Sequence, residues 1–541
     1  MWGGRDAKLP YIALIAALLV REGSHFAAMF STNFTTLDWW IVALYLSIAV
    51  VIGVIANRFT HSVSNYMVGG RSVGAALNAA SYMGTLSALS VVMYSGLDGF
   101  ARGFSYLAIP LIAMTCVAAM GITGFVVKNL RLLNLTTIPE YFEVRYSRRV
   151  RIVAGSICAT AGIINMGLFP KVGAIYITYA TGLASSSGDP EFLVNIITSA
   201  LIVLVLFYTI MGGMVSVIFT DFMQYIVISV GVLIALYFTF ALPGISWDGL
   251  VATQVEARGE AAFNPFHEDS YGWTYMIWQM ALLGTAVIAW APEAGRMLTA
   301  RNYQATMRTF LLGSPAWIVG WGLPAVWAIA AFSYFAADAK LAAYFLPDGP
   351  GGQVQHGLEA LPLFLGKVIP AGMLGIFTAG MLAAFMSTHD SYFLCWASVI
   401  VRDIINPMRS EPLPEASQIR VTRIIILITG VFLLIWGVWY ELPDSVWTYM
   451  AVTGNIFLSG AGVVIVGGLY WRRASTTGAM AAMLVGLLSI VGLFPGPVQA
   501  VAPWMTEGLI GVSSYILCAV TFCIVSMLFP DEPRITPEEA S

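Results

Sequence analysis

Charged residues are scarce in this chain of 541 residues. They make up 10 % of it, whereas apolar residues make up 58 % and the mean hydropathy is +0.80. An average soluble domain carries about 25 % charged residues, because its surface has to be wet. The scarcity excludes an ordinary soluble protein and predicts an all-α polytopic membrane protein.

Three further shortages narrow the function. The formal net charge is −3, so the chain lacks the basic excess with which proteins bind nucleic acid. The five cysteines have no CxxC spacing and the five histidines form no HExxH pair, which indicates neither a disulfide framework nor a metalloenzyme. The run from Ser387 to Asp390 cannot form a triad, because adjacent helical positions do not face one another. We therefore expect no enzyme, no organic cofactor and no nucleic-acid partner.

Long apolar runs, in contrast, are abundant. A helix needs about 20 apolar residues to cross the roughly 30 Å hydrocarbon layer. Before the first such run, residues 1–37 form an extension in which Tyr11–Val20 resembles a signal-peptide core, and Met29 is an alternative start. Thirteen runs predict transmembrane helices near residues 38–57, 75–97, 103–127, 151–183, 190–211, 214–242, 272–291, 308–336, 365–401, 420–440, 445–470, 476–495 and 508–529.

Lys and Arg residues predict the orientation. With the first span running from outside to inside, eighteen of them fall in loops on one side and four on the other. Because basic loops favour the cytoplasm, we expect a protein of the plasma (inner) membrane with its N-terminus outside and residues 530–541 as a cytoplasmic tail. The smaller set is Arg102, Arg258, Lys340 and Lys367, and the larger set is Arg58, Arg71, Lys128, Arg131, Arg145, Arg148, Arg149, Arg151, Arg296, Arg301, Arg308, Arg402, Arg409, Arg420, Arg423, Arg472, Arg473 and Arg534.

Two spans contain helix-breaking features at corresponding places. Span 75–97 is dense in small residues and hydroxyls around Gly84, and span 272–291 holds Gly284 and ends near Pro292. Each opens a group of five spans, in residues 75–242 and 272–470, and residues 243–271 form an external loop between the groups. Since five is odd, the groups start on opposite sides of the membrane. Interrupted helices at matching positions of an inverted repeat indicate a secondary transporter.

Five strings of sequence resemble one known family when they are taken in order. They are NYMVGGRSVGAALNAASYMGTLSA (65–88), TTIPEYFEVRYSRRVR (136–151), GGMVSVIFTDFMQ (212–224), APEAGRMLTARN (291–302) and AAFMSTHDSYF (383–393). Together they resemble the sodium/solute symporter family over roughly residues 38–470. The resemblance implies the LeuT-type five-plus-five inverted-repeat fold with broken first and sixth core helices. A peripheral helix at 38–57 would precede this core, and two C-terminal helices at 476–529 would follow it.

The resemblance also implies a sodium site. The family pattern A-x-x-[ST]-[ST] falls on Ala384, Ser387 and Thr388, and the backbone carbonyl donors fall on Ala80 and Met83. The chemistry agrees, because a hard cation takes oxygen ligands and an unwound helix frees carbonyl groups. The alternative for each hydroxyl is a hydrogen bond to the carbonyl four residues earlier in its own helix.

Two carboxylates are candidates for the ion path. Asp221 lies in an apolar span, where the family has a T-D-x-x-Q pattern, and Asp390 lies in the inner half of the ninth span beside His389. A carboxylate inside the membrane is costly enough to indicate function, although Asp221 can also cap a helix. Asp221, His389 and Asp390 would carry protons if the coupling ion were H⁺ rather than Na⁺.

We expect a small organic solute to bind where the two breaks meet the fourth and eleventh spans. The stretch after Thr85 lacks the glutamine of sugar-carrying family members, and Tyr82 stands where proline-carrying members have an aspartate. Lys171 either reaches the outer interface or faces the cavity and pairs with a solute carboxylate or Asp98; the second case favours an anion. The candidate substrate contacts are Ser81, Tyr82, Thr85, Ser87, Asn165, Lys171, Gln279, Thr285, Thr453 and Asn455.

The sequence thus predicts a symporter that imports its solute with Na⁺ by alternating access. A monocarboxylate or similar anion is slightly preferred over an amino acid or another small metabolite. One alternative keeps the fold and replaces Na⁺ with H⁺. The other is a transporter-like sensor with a separate signalling partner, because only eleven residues follow Pro530.

Overall fold

The computed structural model describes residues 28–56, 74–86, 88–443 and 445–531. Within the helices it describes only the backbone at residues 50, 52–56, 77, 81, 85–86, 208 and 211–223. The predictions for the signal-like stretch and for the tail after Asp531 lie outside the described residues.

All regular elements in the described residues are helices. The first eight long helices are α1 (Thr36–Ala56), α2 (Ala75–Leu86), α3 (Leu89–Arg102), α4 (Ala108–Thr123), α5 (Arg148–Asn165), α6 (Phe169–Ala180), α7 (Pro190–Phe240) and α8 (Gly272–Ala289). The others are α9 (Ala291–Thr299), α10 (Tyr303–Gly313), α11 (Leu323–Ala336), α12 (Met373–Val399), α13 (Glu415–Trp439), α14 (Val446–Tyr470), α15 (Thr476–Gly486) and α16 (Glu507–Leu528).

Short helical pieces connect these long helices. The α-helical ones are Val127–Leu132, Ile138–Arg145, Leu183–Ser186, Trp247–Arg258, Ala339–Phe345, Gly357–Val368, Asn406–Met408 and Pro495–Val501. Tighter 3₁₀ turns occupy Gly103–Leu107, Met166–Leu168, Gly259–Ala262 and Leu487–Leu493, and wider π turns occupy Ile318–Gly322 and Ile400–Ile405.

Each of the thirteen predicted spans overlaps helix in the structure. By length and hydropathy alone, eight helical stretches of the described residues could cross a membrane, and nine if α8 and α9 count as one span bent by 44°. Large apolar side chains are more than 60 % exposed on α1, α7 and α13, for example Leu44, Val203 and Ile428. Such exposed apolar surface suits contact with lipid. The protein is therefore an integral membrane protein, and thirteen as the number of spans stays a prediction.

Helix α7 runs for 51 residues. At 1.5 Å per residue a straight helix of that length would measure about 76 Å, more than twice the roughly 30 Å hydrocarbon layer. Its two arms pack inside one bundle, because Leu206 lies against Gly430 of α13 and Val227 lies against Gly380 of α12. The apolar arms are residues 190–207 and 224–240, which correspond to two of the predicted spans. The sequence predicts that the first of these spans ends near residue 211 and that the second begins near residue 214, whereas the backbone in the structure is helical throughout Pro190–Phe240.

Candidate functional site

Two helices are broken in the middle of the bundle. Helix α2 ends at Leu86 and α3 begins at Leu89, and between them Ala88 is extended with φ −67° and ψ 147°. Helix α8 ends at Ala289 and α9 begins at Ala291, and Trp290 between them has φ −69° and ψ 111°. An extended residue interrupts the i→i−4 ladder, so backbone groups next to each break have no partner in their own helix. Such groups are tolerated inside a membrane only where they face protein or a cavity.

One asparagine joins α2, the half-helix before the first break, to α9, the half-helix after the second break. Asn78 of α2 is 1 % exposed, and its Nδ2 donates to the Arg296 carbonyl of α9 at 2.7 Å. Its Oδ1 accepts a hydrogen bond from Thr299 Oγ1 of α9 at 3.1 Å, and Nδ2 also lies 3.3 Å from Thr309 Oγ1 of α10. The half-helices α2 and α9 are therefore tied to each other and to α10.

Both break residues, Ala88 and Trp290, line one cavity of about 720 Å³, a volume that includes its open mouth. The cavity lies where α3, α8 and α9 meet α5, α6 and α14, with α12 and residues 317–321 completing the wall. This is the meeting place at which the sequence predicts a solute. The lining residues are Ala88, Ser90, Val91, Tyr94, Asn165, Phe169, Leu282, Leu283, Ala286, Trp290, Pro292, Glu293, Trp317, Trp321, Thr388, Tyr392, Trp447, Met450, Ala451, Gly454 and Leu458.

Aromatic rings dominate two parts of the cavity wall. Tyr94, Trp321 and Trp447 contact one another, with ring centroids 4.9–5.3 Å apart, and Trp317 packs on Trp321 at 4.7 Å. The second part consists of Phe169, Trp290 and Tyr392. There the rings of Phe169 and Tyr392 lie 5.5 Å apart, and Trp290 Nε1 donates to the Tyr392 hydroxyl at 3.2 Å.

Glu293 is the only charged residue among the described residues that line the cavity. It lies in the first turn of α9, where the partial positive charge of a helix N-terminus favours a carboxylate. The backbone holds it there, because the Glu293 N–H donates to the Trp290 carbonyl at 3.0 Å. Its Oε2 atom is buried and has no hydrogen-bond partner among the described residues.

The residues of the predicted sodium site lie on two helices that pack against each other, α2 and α12. Ala80 and Met83 lie in the last two turns of α2 before the break. Ser387 and Thr388 of α12 are 1 % and 3 % exposed, and Thr388 also lines the cavity. Thr388 Oγ1 donates to the Ala384 carbonyl at 2.9 Å, which is the intrahelical alternative for this hydroxyl. These buried oxygens have the chemistry that Na⁺ requires, and a hydroxyl that donates one hydrogen bond keeps lone pairs for an ion.

Of the predicted substrate contacts, Asn165 lines the cavity. Its Nδ2 donates to the Met450 carbonyl at 2.9 Å and to Thr453 Oγ1 at 2.8 Å, so Thr453 supports the wall from behind. Asn165 Oδ1 is buried without a partner in the described part of the chain.

The other predicted substrate contacts do not line the cavity, or their side chains are not described. Tyr82 accepts a hydrogen bond from Trp317 Nε1 at 3.3 Å, Asn455 accepts one from Trp278 Nε1 at 3.1 Å, and Thr285 Oγ1 lies 2.5 Å from the Tyr515 hydroxyl. Gln279 is completely buried in α8. The side chains of Ser81 and Thr85 are not described, and Ser87 lies outside the described residues.

Lys171 also lies outside the cavity wall. It is 8 % exposed, and its Nζ donates to the Tyr440 carbonyl at 3.1 Å. Tyr440 is the C-cap of α13, where unpaired carbonyl groups attract a cation. Lys171 therefore does not line the cavity, and its ammonium group contacts the carboxyl end of α13 instead.

The candidate ion-path residues are only partly described. Asp390 is completely buried in α12, and next to it His389 Nδ1 lies 2.7 Å from the Phe385 carbonyl. The side chain of Asp221 is not described. The roles of Asp390 and Asp221 in ion transport therefore stay predictions.

The sequence did not predict that Glu293 and the aromatic wall belong to the solute site. Tryptophan in a membrane protein is typical of the membrane–water interface. Trp317, Trp321 and Trp447 are nevertheless only 1–6 % exposed, whereas Trp40 is 71 % exposed. The available signal was position: Trp290 and Glu293 flank Pro292, directly after the predicted break.

Comparison with known proteins identifies related chains. The family model described as "Sodium:solute symporter family" matches residues 66–486. A sodium/sialic acid symporter of Proteus mirabilis is 24 % identical over 481 residues, which cover 85 % of this chain and 90 % of the relative. A sodium/pantothenate symporter of Escherichia coli is 25 % identical, with 82 % and 88 % covered. A high-affinity proline transporter of Bacillus subtilis is 24 % identical, with 82 % and 89 % covered.

A solved structure shows the same fold. It is the substrate-bound, outward-open state of a Na⁺-coupled sialic acid symporter, with a TM-score of 0.73 and 18 % sequence identity. The match covers 93 % of this chain and all of the other. It confirms the predicted all-helical, LeuT-type fold class with its broken helices.

Proposed function

Because the protein belongs to the sodium:solute symporter family, we propose that it transports a small organic solute together with Na⁺ by alternating access. The solute binds in the cavity between the two helix breaks. The observation that carries this proposal is that both breaks, at Ala88 and Trp290, open into one cavity. Broken helices around a central site are the arrangement by which such transporters hold substrate and ion together.

The proposed Na⁺ ligands are the carbonyl oxygens of Ala80, Met83 and Ala384 and the hydroxyls of Ser387 and Thr388. Thr388 supports the coupling of ion and solute, because it belongs to this set and also lines the cavity. Na⁺ bound there would shape the solute site, and by linkage each ligand raises the affinity for the other by the same factor. Asp221 and Asp390 are proposed to attract the ion or to assist its release.

The proposal includes an orientation. The side that carries Arg145, Arg151 and Arg296 is the cytoplasmic one, and the N-terminus is external. Import then follows from the Na⁺ gradient and the membrane potential, which supplies about 2.3 kcal/mol per charge for each 100 mV. An anionic solute is no longer favoured, because that preference depended on Lys171 facing the cavity.

Uptake into vesicles tests the coupling ion. The purified protein is reconstituted and given either a Na⁺ gradient or a pH gradient, with a panel of radiolabelled acids, amino acids, amines and sugars. We expect uptake that follows the Na⁺ gradient. Uptake that ignores Na⁺ and follows pH would contradict the Na⁺ assignment and support proton coupling through Asp221, His389 or Asp390.

A double variant tests the ligands. Ser387→Ala with Thr388→Ala should raise the Na⁺ concentration needed for half-maximal uptake, because two of the five oxygen ligands are lost. Thr378→Ala is the matched control, since Thr378 is a completely buried hydroxyl earlier on the same helix. Unchanged Na⁺ dependence in a normally inserted double variant would refute the assignment.

A further inference from the structure

The cavity wall carries negative charge and no positive charge among the described residues that line it. Among the described residues that line it there is one carboxylate, Glu293, and no Lys, Arg or His. Glu293 Oε2 is buried and has no hydrogen-bond partner in the described part of the chain. A buried carboxylate without a counter-charge is costly, so a positively charged ligand in the cavity would remove a cost that the empty protein carries.

The rest of the wall suits the same kind of ligand. Seven aromatic residues line the cavity, and those around Trp321 form a continuous cluster. The face of an aromatic ring attracts a cation, and aromatic cages are the usual receptors for quaternary ammonium groups. An anionic solute would meet both the ring faces and Glu293 with the wrong charge.

Polar atoms without partners indicate a second feature of the ligand. The indole N–H groups of Trp321 and Trp447 and the hydroxyl of Tyr94 are buried without a hydrogen-bond partner among the described residues. All three residues line the cavity. Indole N–H groups only donate, so an oxygen atom on the solute would satisfy them.

We infer that the transported solute carries a positively charged nitrogen, which pairs with the Glu293 carboxylate inside the aromatic wall, and an oxygen that accepts hydrogen bonds from Trp321 or Trp447. The solute class is therefore an ammonium or quaternary ammonium compound with a hydroxyl or carboxylate group. This inference rests on the proposed function, since it names the solute class for the same cavity.

The test compares two probes of equal shape. Choline has a quaternary nitrogen and a hydroxyl, and dimethylbutanol is its uncharged isostere, with carbon in place of nitrogen. Binding of each to the purified full chain is measured as a shift in thermal unfolding, with and without Na⁺. We expect choline to bind at least tenfold more tightly than dimethylbutanol, and lactate, the anionic probe, not to bind.

Variants assign the discrimination to Glu293. Glu293→Gln keeps the shape and removes the charge, so it should reduce choline affinity at least tenfold without changing stabilisation by Na⁺ alone. Glu359→Gln is the control, because Glu359 is a half-buried carboxylate that accepts a hydrogen bond from Tyr344 outside the cavity. If Glu293→Gln does not fold, Trp447→Leu replaces it and should weaken choline binding more than dimethylbutanol binding.

Several results would overturn the inference. They are equal binding of choline and dimethylbutanol, choline binding unaffected by Glu293→Gln, binding of lactate but not choline, and no choline binding at all. Loss of Na⁺ stabilisation in Glu293→Gln without solute would also overturn it, since Glu293 would then hold a second Na⁺. In each case Na⁺-driven uptake of another solute would leave the proposed function intact. Absence of any Na⁺ effect in the wild-type protein would instead refute the proposed function.

Discussion

Replacing Asp403 should destabilise the protein far more than replacing Glu143, although both carboxylates pair with the same arginine. Arg151 Nη2 lies 2.8 Å from Asp403 Oδ1, and Arg151 Nη1 lies 2.6 Å from Glu143 Oε2. Asp403 Oδ1 also accepts a hydrogen bond from Thr137 Oγ1 at 2.7 Å. The two carboxylates differ in burial, because the side chain of Asp403 is 0 % exposed and that of Glu143 is 38 % exposed.

Burial sets the expected magnitudes. Removing one partner of a buried ion pair costs about 3–5 kcal/mol, because the remaining charge stays buried without its counter-charge. In Asp403→Asn, Arg151 keeps Glu143 and the Arg402 carbonyl at 3.1 Å, so we expect the lower end, about 3 kcal/mol. A pair with an exposed partner contributes about 0–1 kcal/mol, so Glu143→Gln should cost less than about 1 kcal/mol.

Equilibrium unfolding in mixed micelles, titrated with a denaturing detergent, measures both free energies of unfolding. The double variant Arg151→Met with Asp403→Leu should recover most of the loss seen in Asp403→Asn, since apolar groups can replace a buried ion pair at little cost. Equal losses for Asp403→Asn and Glu143→Gln would refute the reasoning from burial.

Two further substitutions test close packing. Gly99→Ala should destabilise the protein by about 1–3 kcal/mol and lower the midpoint of thermal unfolding, because the new methyl group would lie 2.6 Å from the Ala325 Cα. Gly295→Ala is the control, since a methyl group there would meet no atom within 4 Å, and it should leave the midpoint equal or slightly higher. An equal fall for both glycines would contradict this. Asp38→Asn should cost about 1–3 kcal/mol in the same assay, because both carboxylate oxygens of Asp38 accept backbone N–H groups and the amide nitrogen of asparagine can accept neither. Oδ1 accepts from Gly375 at 2.6 Å and Oδ2 accepts from Thr35 at 2.8 Å. An unchanged midpoint would show that these bonds do not stabilise the protein.

Much of the fold is predictable from the sequence, because length and apolar character decide where helices form in a membrane. The positions of the breaks are less predictable. Gly84 suggests the first break, yet it lies inside α2, and the chain becomes extended only near Ala88. Pro292 suggests the end of the seventh span, but a proline is tolerated in the first turn of a helix, so α9 continues through it.

The composition of the cavity is hard to predict for a different reason. A tryptophan at the interface and one in a binding site can both lie in apolar sequence, and the packing of distant helices decides that Trp40 is exposed and Trp321 is buried. Lys171 illustrates the same limit, because its partner, the carbonyl of Tyr440, is 269 residues away. Backbone acceptors of this kind leave no pattern in the sequence.

The hydrogen bonds of Asn78 link the half-helices α2 and α9. Neither half-helix can tilt alone without breaking hydrogen bonds in a place that is 1 % exposed to solvent. Each such bond contributes about 0.5–1.5 kcal/mol net, which is comparable to or larger than the thermal energy. The hydrogen bonds of Asn78 therefore favour a joint displacement of α2 and α9 over a displacement of either half-helix alone.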